Sequence, residues 1–416
     1  MESRRLQRAA GRAEPLPKLV TGRLPSPSGQ VKMTDVEELI SAILRGENPR
    51  WPADGLDGFA ARFLERSAYH GVQALVHHHW RNETRRADLG YPEAVWEACR
   101  KQALAQAMWE MRHRELLGRV LPRLSEVDAR PIVFKGTALA YDLYPAPFLR
   151  ARADTDLLVP AAKREPAIRA LEDCGFSRVP NVSGEFVTYE AGFVWRDARV
   201  QQAHVLDLHW RISNSKLLAN LFSYEDLRAR ARKLPALSED ALGVEPVTAL
   251  VLACMHRAVH KQAPYYVDGV AYRSEDRLIW LYDIHCLLGR LSPAQHREFV
   301  ELAERKGLAA TCQAAVERAR VLFHSAVPEN ADWPARNRSP EPADRYLDAP
   351  AAYQFRADLR AIAGVRNKLK FLSEIFFPPE SWMRRKYSGA KPGWLPWLYL
   401  RRAGEGLWKS LRRRTG

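Results

Sequence analysis

The hydrophobic period of this chain switches at Arg130 and switches back about a hundred residues later, and that change constrains its architecture more than any other feature. Before it, residues 33–126 carry a helical pattern, as in Leu117, Val120, Leu121 and Leu124 at i, i+3, i+4 and i+7. Pro131-Ile132-Val133-Phe134 is then a short β-branched run closed by Lys135-Gly136-Thr137, with a helical stretch through Leu139, Leu143 and Tyr144 to Pro145. Asp154-Thr155-Asp156-Leu157-Leu158-Val159-Pro160 is a second predicted strand, followed by a helix from Ala161 to Cys174 with Gly175 at C′. Further strand segments are expected at Phe186-Val187-Thr188-Tyr189, Gly192-Phe193-Val194-Trp195 and from His204 to Trp210. Helices return with Pro246 in a first turn and with Ser292-Pro293-Ala294-Gln295, a capping box with proline at N1 whose helix ends near Gly307. The expected fold class is therefore α+β: a compact α/β unit flanked by N- and C-terminal helical regions.

Length and charge refine the division. The 416 residues suggest roughly two to three domains. Their 46% hydrophobic and 27% charged content is that of a globular protein rather than a disordered or fibrous one. No run reaches the roughly 18 apolar residues that a spanning helix needs. Of the +15 net charge, residues 1–32 carry seven Lys/Arg against two Glu and residues 384–416 carry ten against one, so the centre is almost neutral. The reading is a disordered basic tail at 1–32, a helical region at 33–126, an α/β domain at 127–235, a helical domain at 236–375 and a basic, Trp-rich amphipathic tail at 376–416. Thr34-Asp35-Val36-Glu37 reads as a capping box, which makes Met33 a candidate initiator. Cys99, Cys174, Cys254, Cys286 and Cys312 lie far apart with no C-x-x-C pair, which argues against a disulfide framework or a zinc ribbon and for a cytoplasmic setting.

Chemistry concentrates in the α/β unit. Alternate strand positions share a face, so Asp154 and Asp156 project together. Adjacent carboxylates repel unless a cation sits between them, which suits Mg²⁺. Upstream, Lys135-Gly136-Thr137 lies where a strand runs into a helix, a place where backbone N–H groups can meet a phosphate. Arg150 and Arg152 precede the pair and can offset phosphate charge, and Asp207 lies on another predicted strand as a third carboxylate.

The segments Phe134-Lys135-Gly136-Thr137-Ala138-Leu139-Ala140, Tyr144-Pro145, Arg150, Asp154 to Val159, Asp207-Leu208-His209-Trp210, Leu278 to Asp283 and Phe376-Phe377-Pro378 resemble the uncharacterised bacterial nucleotidyltransferase family of the polymerase-beta-like superfamily. The resemblance covers most of residues 33–410. It implies a polymerase-beta-like domain with a mixed sheet, and a nucleotidyltransferase that moves a nucleoside monophosphate from an NTP to an acceptor hydroxyl and releases pyrophosphate. By the same resemblance Gly136 and Thr137 contact the triphosphate, Asp154 and Asp156 bind two Mg²⁺ ions, and Asp207 is the third carboxylate. Lys135 and Arg150 are then candidates for phosphate contacts. The acceptor could be a small molecule, a protein side chain or a nucleic-acid end.

Other features keep more than one reading. His77-His78-His79 cannot converge on one ion, because adjacent helical residues point about 100° apart. His256 and His260 sit one turn apart and read as core histidines, as interdomain residues facing the cleft or acceptor, or as metal ligands without the Glu of H-E-x-x-H. His209 joins this group of acceptor or interdomain candidates. Asp283, in an apolar run, needs a partner, expected in Arg277, Arg257 or a histidine; a role in binding acceptor is the alternative. The C-terminal tail aligns Trp397, Leu400, Gly404, Leu407, Trp408 and Leu411 in one helical stripe among arginines. That pattern suits packing on the protein itself, an anionic membrane surface or acidic partner, or a nucleic-acid backbone. Two further function classes stay open: a non-catalytic NTP-binding or scaffold protein, and a nucleic-acid-binding protein acting through its basic tails.

Overall fold

The computed structural model describes residues 35–52, 58–80, 88–179, 184–197, 202–262, 265–267, 270–272, 276–325, 333, 341–387 and 395–412. The basic tail at 1–32, Met33 and Thr34 lie outside the described residues. Four helices come first: α1 (Asp35–Leu44), α2 (Phe59–His70), α3 (Gln73–Trp80) and α4 (Glu93–Glu126). The α/β part follows as β1 (Ile132–Phe134), α5 (Lys135–Leu143), β2 (Asp154–Leu158), α6 (Arg164–Asp173), β3 (Ser177–Arg178), β4 (Glu190–Arg196) and β5 (Ala203–His209). After α7 (Lys216–Ala219) and α8 (Tyr224–Ala229) come the short β6 (Arg232–Lys233) and β7 (Leu242–Gly243). Then α9 (Pro246–Gln262), the hairpin β8 (Tyr265–Val267) and β9 (Val270–Tyr272), α10 (Leu278–Arg290), α11 (Pro293–Arg305) and α12 (Ala309–Phe323) lead to α13 (Pro342–Asp348), α14 (Ala351–Ala361), α15 (Val365–Phe376), α16 (Glu380–Lys386) and α17 (Leu395–Arg412).

Seven strands form one mixed sheet in the order β3-β4-β5-β2-β1-β7-β6. The pairs β2·β5 and β1·β7 are parallel and the others antiparallel. The molecule is thus of the α+β class. Strand periodicity sorts its side chains into two cores. Val133, Leu157, Leu206 and Leu208 face α4 and α6 through Leu117, Leu121 and Leu171. Ile132, Phe134 and Leu158 face the helical side, where Val251 and Ile279 share a cluster with Phe63 and Val95 from the N-terminal helices. A one-residue slip of β2 would exchange both faces, exposing apolar side chains worth about 2 kcal/mol each and burying carboxylates. The register that places Asp154 and Asp156 on the helical side is therefore set by Leu157.

Local signals act as their chemistry requires. Ser292 and Gln295 form both halves of the capping box at α11. At α9, where Pro246 has no N–H to satisfy, the Glu245 carboxylate accepts the N–H groups of Val247 and Thr248, each at 2.8 Å. Gly175 holds φ +87° after α6. One expected strand does not form: Phe186 to Thr188 are turn and irregular backbone, and β4 starts at Glu190. Side chains take the donors a ladder would need, for Glu374 of α15 accepts the N–H groups of Glu185 and Phe186, and Asn214 accepts that of Tyr189. His77, His78 and His79 form the half-buried last turn of α3.

Candidate active site

Parallel pairing of β2 with β5 places Asp156 directly opposite Asp207. His209 follows two residues on along the same face of β5. Ligand atoms of Asp156, Asp207 and His209 lie within 4.8 Å of one another. Asp154 points the same way from the first residue of β2, is exposed, and stands outside that trio. On the other flank Gly192 pairs with Asp207, and a Cβ there would come 3.3 Å from Asp207 Oδ1, so the glycine leaves the carboxylate room.

Too much negative charge is gathered here for its neighbours to balance. Burial alone would raise the Asp156 pKa, but Lys135 and His209 overcome it and hold the carboxyl below the usual range. Lys135 Nζ donates to Asp156 Oδ1 at 2.6 Å, and His209 Nε2 donates to the same oxygen at 2.8 Å. Burial, reinforced by Asp154, Asp156 and Glu190, pushes Asp207 up to about 7. Asp154 is raised too, first by the water-excluding walls around it and then by Asp156, although the side chain itself opens to solvent. For Lys135, desolvation is outweighed by Asp156, Asp154 and Glu190, so the ammonium is held above its ordinary range. Its backbone sits at φ +53°, where a non-glycine residue costs about 1 kcal/mol or more, and the bond to Asp156 offsets that strain.

Gly136 is the second residue of α5, whose N-terminus has no side-chain cap. Its lack of a side chain is required by Arg150: a Cβ at Gly136 would fall 2.5 Å from Arg150 Nη1 and 3.1 Å from Cζ. Arg150 cannot swing away, because Asp283 accepts its Nη2 at 2.7 Å and its Nε at 3.3 Å, and Ala151 O accepts its Nη1 at 3.3 Å. Tyr144 also donates to Asp283, at 2.6 Å. The partner of Asp283 is thus Arg150, not Arg277 or Arg257, which donate to Tyr69 O and Asp276 respectively. Gly136→Ala is expected to cost about 1–3 kcal/mol by overpacking against that fixed guanidinium. Urea denaturation alone and in an Arg150→Ala background checks this, since the penalty should vanish once the guanidinium is gone.

Thr137 turns away from the cleft. Its hydroxyl meets Thr155 Oγ1 at 2.7 Å, accepts Arg152 Nε at 2.9 Å and lies 3.3 Å from Asp154 O. Thr155 continues to His113 Nε2 at 2.6 Å, and His113 to His204 at 3.1 Å, beneath the stacked ring of Trp109. Arg152 ends on Glu110, which also accepts from Tyr141, each at 2.7 Å. Burial lowers the pKa of both His113 and His204, so the network is neutral at its imidazole end. Sequence reasoning missed this buried layer behind β2. Its one signal was Thr155, a polar residue on the core side of the carboxylate strand.

A cleft of about 660 Å³ runs from the carboxylates to the helical side, within the usual range of roughly 300–1,000 Å³ for a ligand site. Among the described residues, Lys135, Gly136, Arg150, Asp154, Asp156, Asp207, His209, His256 and His260 all line it. Thr137 and Asp283 do not. Glu190, which sequence reasoning passed over, does, with its Oε2 3.4 Å from His209 Nδ1. His256 and His260 are half-buried, with ring centroids 4.3 Å apart and both against Trp280. Burial and mutual repulsion push His256 well down, and burial, with Lys135 nearby, brings His260 to about 4, so both are neutral near pH 7. The far wall comes from α13 and α14, where Asp358 accepts Ser215 Oγ and the Lys216 N–H at 3.0 and 2.8 Å.

No curated protein and no solved structure matches the chain. Residues 60–324, from α2 through the whole sheet to the end of α12, match the model of the uncharacterised nucleotidyltransferases. Because that match takes in well over half of the 416 residues, with Asp154, Asp156, Glu190 and Asp207 among them, the chain belongs to the uncharacterised nucleotidyltransferase family.

Proposed function

We propose that the protein is a Mg²⁺-dependent enzyme with a polymerase-beta-like active site, transferring a nucleoside monophosphate from an NTP to an acceptor hydroxyl. The observation that carries this is the in-register opposition of Asp156 and Asp207 beside Asp154, at the foot of a cleft large enough for a nucleotide. The donor set fits the ion. It is rich in carboxylate oxygens, the preference of Mg²⁺, and beside burial the neighbouring Asp154, Asp156 and Glu190 raise the Asp207 pKa, a repulsion that a cation would relieve.

Asp154, Asp156 and Asp207 would hold the metal, with His209 fixing one oxygen of Asp156. When bound, two Mg²⁺ ions supply charge neutralisation and activation of the attacking oxygen. The chain's own residues do the rest. The uncapped first turn of α5 presents N–H groups for the phosphates, and Lys135 is the nearest ammonium. Asp207, which lines the cleft beside the other carboxylates, is placed to take the proton of the acceptor hydroxyl. His256 and His260, uncharged, give the opposite wall a polar but neutral surface for base or acceptor. Arg150 serves from behind, locking Gly136 and joining the sheet to α10. The five free cysteines accord with a cytoplasmic setting.

Isothermal titration of ATP, GTP, CTP and UTP with Mg²⁺ tests the reading. The wild type should bind at least one, and Asp154→Asn/Asp156→Asn should weaken it by more than about 100-fold, since changes one layer further out already cost about 10–100-fold. Circular dichroism establishes that the variant is folded. Nucleotide binding that survives the double substitution would place the site elsewhere.

A further inference from the structure

The C-terminal helices expose an apolar surface that the catalytic cleft does not use. On α15, Val365, Leu369 and Phe376 follow i, i+4 and i+11 and lie within a stripe about 40° wide. The opposite side of the helix is anchored: Phe371 is buried against Phe355, and Glu374 caps the 185–186 backbone. Phe377 extends the stripe past the helix end, where its ring meets Tyr399 of α17 at 5.6 Å. Arg402 of α17 donates to Ile375 O at 3.0 Å, so α17 is fastened to this corner, and it too exposes large apolar side chains, Trp397 and Leu400. These six side chains are 58 to 74% exposed. Within the tail, α16 and α17 pack on each other through Met383, Tyr387 and Leu398. Leu407, Trp408 and Leu411 lie outside the described side chains.

A cluster of this kind marks an interaction surface, and charge chooses its occupant. Arg366 and Lys368 flank the α15 stripe, and residues 384–416 carry ten Lys/Arg against a single Glu. Large apolar side chains bordered by cations, on helices without the length or hydropathy to span a bilayer, match the interface of an anionic membrane. A nucleic-acid backbone would be served by the cations and would leave the apolar stripe in water. We propose that α15 and α17 form a docking face for an anionic phospholipid surface, with the stripe entering the headgroup boundary and the tail cations lying over the lipid phosphates.

Flotation of the full-length protein with phosphatidylcholine vesicles, with and without added phosphatidylglycerol, tests this. The protein should float with the mixed vesicles and not with phosphatidylcholine alone. Leu369→Glu/Phe376→Glu and Trp397→Glu, all at exposed positions, should each weaken binding on the order of tenfold or more while leaving NTP binding unchanged. Failure to float with the mixed vesicles would overturn the proposal. So would vesicle binding that high salt abolishes but the apolar substitutions leave intact, because that is the behaviour of a general polycation. A dimer in sedimentation velocity that the same substitutions dissociate would assign the face to a second copy of the chain instead. Each readout is independent of nucleotide transfer, so its outcome does not depend on the activity proposed above.

Discussion

Asp207→Asn should stabilise the metal-free protein and, at the same time, lower pyrophosphate release by at least about a thousandfold. Both effects have one cause. Asp207 faces Asp154 and Asp156 across the β2·β5 pair, and burial together with those charges pushes its pKa to about 7. In the unfolded chain the same group titrates near about 3.9. Between those values the folded state keeps a proton that the unfolded state has lost, so stability falls as pH rises from about 4 to about 7. Asparagine carries no such penalty. The gain should be absent near pH 4, grow through that window and level off above 7, at on the order of 2 kcal/mol once solvent screening is allowed for. Urea midpoints at several pH values with a metal chelator present measure it. A destabilised Asp207→Asn protein at pH 8, or undiminished pyrophosphate release, would falsify the assignment of Asp207 to the reactive cluster. Such a trade of stability for chemistry is expected where carboxylates are gathered for a cation.

The largest loss of stability is expected at Arg150. Arg150→Ala leaves Asp283 buried in α10 with only the Tyr144 hydroxyl, and removing one member of a buried pair costs about 3–5 kcal/mol. Arg150→Met/Asp283→Leu/Tyr144→Phe should recover most of that cost, because no buried polar group is then left unpaired. It should not recover activity, since Gly136 and the N-terminus of α5 lose the guanidinium packed against them. Denaturation midpoints and NTP titration of both variants separate the two effects. If Arg150→Ala cost less than about 1 kcal/mol, the pair would be a surface-like contact and not a joint between sheet and helices.

Most of the residues that line the cleft were legible in residue order, and their supports were not. Asp154 and Asp156 could be placed on one face because strand periodicity is a local property, and Asp207 could be named as a third carboxylate by resemblance. What lay opposite what could not be read: the pairing of Asp156 with Asp207 is a contact across 51 residues that depends on β5 lying parallel to β2. The same limit explains Asp283. Its need for a cation followed from its apolar surroundings, but Arg150 is 133 residues away and the nearer Arg277 and Arg257 were already bonded elsewhere. Thr137 shows the limit at a single atom, for the helix start was evident while the direction of its hydroxyl was decided by Thr155 and Arg152 on neighbouring segments.

By itself, then, the order of residues determined the elements: the switch of period at Arg130, the proline start of α9 and the cap of α11, the two faces of β2 and the charge of the tail. Each follows from interactions within a few residues, where propensity, periodicity and capping act without knowledge of the rest of the chain. Only the tertiary structure decided which carboxylates face one another across the sheet, which arginine closes the space over Gly136, and that α15 turns an apolar stripe outward beside α17. Those outcomes depend on which surfaces meet after collapse, where the burial of Leu157 and Leu206 on one side of the sheet forces the charges to the other.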